Sequence, residues 1–279
     1  MSFRLEMLQA ARRATAQLGE SANLVRQFVR RHQNPDGSFQ DRSGRSDIYY
    51  TVFGLDCLLA LDEPLPTGLE NYLRRFGDGA QLDFVHFTCL ARCRAVLQAV
   101  TSGTGGTPVP LTLRTFPAPQ TVYDCYLAFG AYQDLRVPLP DTGPWLRCLD
   151  SLRSRDGAYG NAPGLPLGST TATAAAATLL RHIGAPVPAE IGPWLLAQCR
   201  PKGGFTAMPT APAPDLLSTA TALHALAGLR VPFDHIKEPC LDFLDSLWSN
   251  EVGFHGHWAD DHLDVEYTNY ALLALGHLT

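Results

Sequence analysis

Several groups of residues have the types and spacing for chemistry. Arg42 and Arg45 stand just ahead of Asp47-Ile48-Tyr49-Tyr50, where an apolar helix is expected to begin. Two guanidiniums beside a helix N-terminus make a reasonable anion site. Asp83 and His86 fall on the first turn of the next apolar helix, and Asp124 with Cys125 opens the one after it. A carboxylate and an imidazole on one turn suit an acid pair or a metal site. The run His255-Gly256-His257-Trp258-Ala259-Asp260-Asp261-His262-Leu263-Asp264 is dense in metal-capable groups, yet it reads as a loop without helix-spaced ligands. Tyr50, Trp258, Tyr267 and Tyr270 offer π faces that would stabilise a cation in an apolar cavity, and would serve equally as ordinary packing. Asp47, Asp83, Asp215 and Asp264, with Ser169 in the same place, also have a structural use as N-caps, accepting from free backbone N–H groups at the positive end of a helix.

These residues recur because the elements that carry them recur. Gly203–Leu226 reads as a glycine turn, a proline-stiffened loop, an Asp and a small-residue apolar helix, and the same cassette can be laid out six times. The paired helices are Ala22–His32 with Asp47–Leu61, Leu69–Phe76 with 83–100, and a poor first member within Thr101–Pro119 with Val122–Leu135. They continue as Gly143–Leu152 with Ser169–Ile183, Pro188–Cys199 with Asp215–Leu229, and His235–Trp248 with Asp264–Leu278. A period of roughly 35–50 residues marks a stacked array. The first helix of each pair is amphipathic, with Arg26, Arg30 and Arg31 on one side of the first copy. The second is apolar nearly all round, as in TTATAAAATLL and YALLAL. A helix apolar on every side is buried on every side. The expected fold is therefore all-α: an α/α toroid of six helical hairpins in one domain over 1–279, preceded by an N-terminal helix. The N-termini of the inner helices would converge on one end of a central cavity, with residues two and three places after each cap at its mouth.

A net charge of −5 and a pI near 6 give no electrostatic reason to expect nucleic acid or an anionic membrane surface. No apolar stretch approaches the ~20 residues that span a bilayer, and the mixed-charge start is unlike a signal peptide. A cytoplasmic location is expected. Seven scattered cysteines without a CxxC pair suggest buried reduced thiols.

Gly-Gly-Phe…Pro-Asp-Leu-Leu-Ser-Thr-Ala-Thr-Ala-Leu and Gly-Phe…Asp-Val-Glu-Tyr-Thr-Asn-Tyr-Ala-Leu-Leu-Ala-Leu resemble the repeats of protein prenyltransferase β subunits and squalene–hopene-type (terpene) cyclases. The likeness covers nearly the whole chain and implies the toroid. It also implies two chemistries. The prenyltransferases bind zinc through an Asp-x-Cys and a later His, leaving a position open for a substrate thiol. Asp215 matches that Asp, but Leu217 takes the Cys place and Tyr267 the His place. The loop that should carry an Arg and a Lys for a diphosphate is uncharged TAMPTAPAP. The cyclases put Asp-x-Asp-Asp at the same point, with the middle Asp as proton donor; here the donor position is again Leu217. No cofactor is expected, and zinc least of all, because Leu217 and Tyr267 replace its ligands.

The resemblance implies an apolar, isoprenoid-type substrate in a central cavity. The acid or anion site would then come from Asp83, His86, Asp124 or the Arg42/Arg45 loop, where Tyr49 takes the Cys place. Tyr50, Asp215, Trp258 and Tyr267 would line the binding site. The alternative is a non-catalytic toroid that serves as a binding or scaffold protein, including as a β-like subunit with an α-helical protein partner.

Overall fold

The computed structural model describes residues 2–101, 113, 116, 118–250 and 252–279. An N-terminal pair of helices, α1 (Phe3–Arg12) and α2 (Ala14–Leu18), precedes the repeats. The hairpins follow as α3 (Ala22–Arg31) with α4 (Ile48–Ala60) and α5 (Leu69–Arg74) with α6 (Phe84–Thr101). Then come α7 (Val122–Asp134), α8 (Gly143–Ser151) with α9 (Thr170–Ile183), α10 (Ile191–Leu196) with α11 (Leu216–Gly228), and α12 (Lys237–Ser246) with α13 (Val265–Leu278). The first helix expected in the third copy lies largely outside the described residues.

The apolar helices form a closed ring. Helix α4 packs on α6, α6 on α7, α7 on α9, α9 on α11, α11 on α13, and α13 returns to α4. The amphipathic helices α3, α5, α8, α10 and α12 pack outside it, each against an inner helix. An α/α toroid results because the two helix types bury different amounts of surface: α3 buries only Ala22, Val25, Phe28 and Val29, whereas α13 buries most of its length.

Each inner helix starts on a side-chain cap. The backbone N–H groups of Tyr50, His86, Ala172, Ser218 and Tyr267 donate to Asp47, Asp83, Ser169, Asp215 and Asp264. In the third copy the cap is Thr121, in a capping box with Asp124. The loop ahead of the inner helix is tied down by a threonine four residues after the cap. Thr51, Thr173 and Thr219 accept the backbone N–H of Phe39, Tyr159 and Phe205 at 3.0, 3.1 and 2.9 Å. Two of these loops are more regular than the sequence suggests. Residues Phe39–Gln40 (β1) pair antiparallel with Ser46–Asp47 (β2), and Phe205–Thr206 (β3) with Pro214–Asp215 (β4). The turn before β3 depends on Gly203, whose φ of +84° is left-handed and whose Cα lies against the Pro239 carbonyl.

Helix α1 covers the end of the ring where the inner helices finish. The Phe3 N–H donates to Gln133 Oε1 at 3.1 Å, Arg4 pairs with Asp134 at 3.2 Å, and Glu6 receives Arg181 at 2.6 Å and His182 at 3.0 Å. Gly276 permits the close approach, since a Cβ there would collide with the Ala10 carbonyl. All seven cysteines are free thiols, and five of them are buried.

Candidate functional site

Inside the ring is a cavity of about 320 Å³, lined by residues from all the inner helices and from α1. Its lining follows the helical period. Two residues after the caps come Tyr49, Tyr123, Thr171, Leu217 and Glu266, which form the mouth. One turn deeper stand Phe53, Cys89, Tyr126, Ala175, Thr221 and Tyr270. Nine residues after the caps come Arg92, Gly130, Thr178, His224 and Leu273, with Asp134 deeper still and Phe3 and Met7 of α1 closing the end. The mouth is thus built from the residue two places after each cap. The residue three places after, Tyr50, His86, Asp124, Ser218 or Tyr267, is turned a further ~100° round the helix and does not line the cavity.

Two polar centres face this largely apolar space. At the mouth, the Tyr49 hydroxyl donates to Glu266 Oε1 at 2.7 Å. Burial pushes the Glu266 carboxyl up to about 7, aided by Asp264 and opposed by the Tyr49 hydrogen bond and by Arg42. Burial also raises the Tyr49 phenol, so it remains a donor. At the closed end, Arg92 pairs with Asp56 at 2.5 Å while Asp134, raised by burial, is held between Arg92 and Arg4. His224 Nδ1 lies 3.1 Å from His277 Nε2, and burial depresses the two imidazoles to about 4 and about 3. Three atoms of this deep layer, Arg92 Nε, Asp56 Oδ1 and His224 Nε2, are buried with no hydrogen-bond partner among the described residues.

Tyr49, Leu217 and Tyr270 line this cavity, but the other residues singled out from sequence lie around it. Asp83 and His86 pair with each other at 2.7 Å near the surface. Asp124 receives the backbone N–H groups of Gln120 and Thr121. Arg42 is held by Asp264 at 2.9 Å and Asp260 at 3.6 Å and lies over the Tyr267 ring, whereas Arg45 is exposed and bonded to Asp41. The two arginines therefore face their own carboxylates. Tyr50 packs edge-on against Tyr49, Tyr267 covers Gly256, and Trp258 is 58% exposed with its indole N–H on Ser246. Asp215 accepts both the N–H and the hydroxyl of Ser218, and burial raises its carboxyl. Of the aromatic set, Tyr270 reaches the cavity. Glu266, Arg92, Asp134 and His224 were not anticipated; the two-after-the-cap position would have found Glu266.

A family model describing the prenyltransferase alpha-alpha toroid domain matches residues 4–98 and 170–278. The chain belongs to the prenyltransferase alpha-alpha toroid family. The interval between the matched stretches holds α7 and α8, and α7 still completes the ring. No curated protein matches the chain.

The zinc address that the resemblance implies falls on Asp215, Leu217 and Tyr267. Leu217 lines the mouth with a side chain that has no donor atom, Asp215 is committed to Ser218, and Tyr267 is turned away beneath Arg42. These residues do not fit a zinc ion. Among the described residues no three His, Cys, Asp or Glu side chains cluster as a metal site elsewhere. Nor, among them, is any helix long and apolar enough to cross a membrane.

Proposed function

We propose that this toroid binds an apolar, isoprenoid-type substrate in its central cavity and acts on it through the Glu266 carboxyl, without zinc. The observation that carries this reading is a half-buried carboxyl at the mouth of an aromatic-walled cavity, its ionised form disfavoured by desolvation. In that setting the Glu266 proton passes to an alkene carbon or an epoxide oxygen. The resulting carbocation faces Phe53, Tyr126 and Tyr270, whose rings stabilise positive charge. A neighbouring C–H then returns its proton to the Glu266 carboxylate, so the net reaction is an isomerisation or cyclisation that needs no oxidant or reductant. The pocket volume falls in the range of small-molecule sites.

A second reading, a toroid that binds without catalysing, is favoured by Leu217, which removes the reactive group from its usual address. One experiment separates the two. The full chain is titrated with farnesol and with an epoxide of squalene, and products are analysed by gas chromatography. Binding that is abolished by Ala175→Trp, which fills the middle of the cavity, supports the shared site. Product that disappears in Glu266→Gln while affinity persists supports catalysis. Binding without product in the unmodified chain favours the second reading, and binding that survives Ala175→Trp overturns both.

A further inference from the structure

We propose that the closed end of the cavity is a subsite for a neutral hydrogen-bonding group, a hydroxyl or carbonyl, at the leading end of an otherwise apolar ligand. This rests on the reading of the cavity as an isoprenoid site and adds an orientation and a chemical class to it. His224 lines the cavity, is 4% exposed, and commits Nδ1 to His277 at 3.1 Å, which leaves Nε2 without a partner among the described residues. Arg92 lines the same depth; Asp56 takes one terminal nitrogen of its guanidinium, and Nε is left over, as is Asp56 Oδ1. Asp56 Oδ1 borders a smaller neighbouring pocket, but His224 Nε2 and Arg92 Nε belong to residues that line the cavity. Buried polar atoms are nearly always hydrogen-bonded, so these two orphans in one layer mark a place where a ligand or water completes the set.

The charges of this layer decide what the ligand carries. Arg92 is matched by Asp56, and Arg4 by Asp134. Burial keeps His224 and His277 neutral. The subsite therefore offers no net positive charge to an anion, and a diphosphate would be stripped of water beside two carboxylates. The mouth is no better for an anion, since among the described residues that line it Glu266 is a carboxylic acid and none is a Lys or Arg. A hydroxyl or carbonyl is desolvated at modest cost and pairs with a neutral imidazole. The layer lies seven residues beyond the mouth on each helix, roughly 10 Å deeper, and α1 blocks the far side. The polar group must enter first, leaving the alkene tail beside Glu266.

The test compares three probes of one chain length, farnesol, farnesene and farnesyl diphosphate, by calorimetric titration of the full chain. Farnesol is expected to bind about tenfold tighter than farnesene and tighter than the diphosphate. His224→Leu should erase the preference for farnesol over farnesene, whereas His224→Gln, which keeps a hydrogen-bonding tip, should retain part of it. Should His224→Leu fail to fold, His224→Gln decides, and its ratio should fall below that of the unmodified chain. Equal affinity for alcohol and hydrocarbon overturns the subsite while leaving the cavity reading intact, as does tightest binding of the diphosphate. A ratio unmoved by either substitution does the same. If none of the three binds, the cavity reading falls and this inference with it.

Discussion

Glu266 and Leu217 occupy equivalent positions, each two residues after an Asp cap, on neighbouring inner helices. A carboxyl one repeat round the ring therefore points into the same mouth from a different side. The acid role proposed for it depends on staying protonated, and burial that lifts it to about 7 gives the sign of the pH dependence. Turnover carried by the protonated form is constant well below that value and falls about tenfold per pH unit well above it. The Tyr49 hydrogen bond favours the ionised form, so Tyr49→Phe should raise the Glu266 pKa and move the falling limb to higher pH. The titration is also readable without turnover, from the carboxyl ¹³C shift that is present in the unmodified chain and missing in Glu266→Gln. A midpoint in the ordinary carboxylate range, or a downward move in Tyr49→Phe, would remove Glu266 from the acid role.

At the scale of elements, helix α1 does two jobs: it closes the cavity with Phe3 and Met7 and fills the seam between α13 and α4. Its seat depends on Gly276 and, under the Phe3 ring, on Gly130. Gly276→Ala would gain helix propensity in isolation, yet its Cβ would strike the Ala10 backbone, which has no rotamer to move. The expected result is a loss of about 1–3 kcal/mol in urea unfolding, the scale of overpacking, together with faster proteolysis within α1. An unchanged midpoint would show that α1 is not seated there. The repeats and five of the six caps were legible in the sequence because those inner helices announce themselves by an Asp or Ser and an apolar run. The Thr121 cap was missed, because the nearby Asp124, its capping-box partner, is the more conspicuous residue. The site was legible only in part. Mouth residues follow from the cap once the phase is known, but placing the mouth two or three residues along admitted His86 and Asp124, which the helix turns away. Arg92 and His224 sit mid-helix, where nothing local separates a cavity wall from packing between helices. Helix α1 reads as amphipathic, and that says one face is covered without saying that it covers the ring.

Across the whole molecule, the ring closes where α13 meets both α11 and α4, and this seam carries the buried imidazole pair. His277 lies in the last turn of α13 with Arg13 nearby, and His224 on α11 feels Glu6, Arg181 and His182. Their depressed pKa values make closure sensitive to acid. Both histidines ordinarily titrate at 6.5, so between about 6.5 and 4 an unfolded chain takes up protons that the folded one refuses, and stability falls as pH drops. Glu266 acts in the opposite sense. From about 4.5 to 7 the folded chain keeps a proton that the unfolded one has released, so its share of stability falls as pH rises. His182, likewise depressed by burial, acts in the same sense as the pair, while Asp134 and Asp215, raised by burial, act with Glu266. His277→Gln preserves a partner for His224 but removes one refused proton, which should flatten the acid limb by on the order of 1 kcal/mol per pH unit. Urea midpoints of the two proteins from pH 5 to 7.5 check this: their difference should vary below about 6.5 and stay constant above it. Parallel curves throughout would mean that the seam is held by packing alone and that acid opens the ring elsewhere.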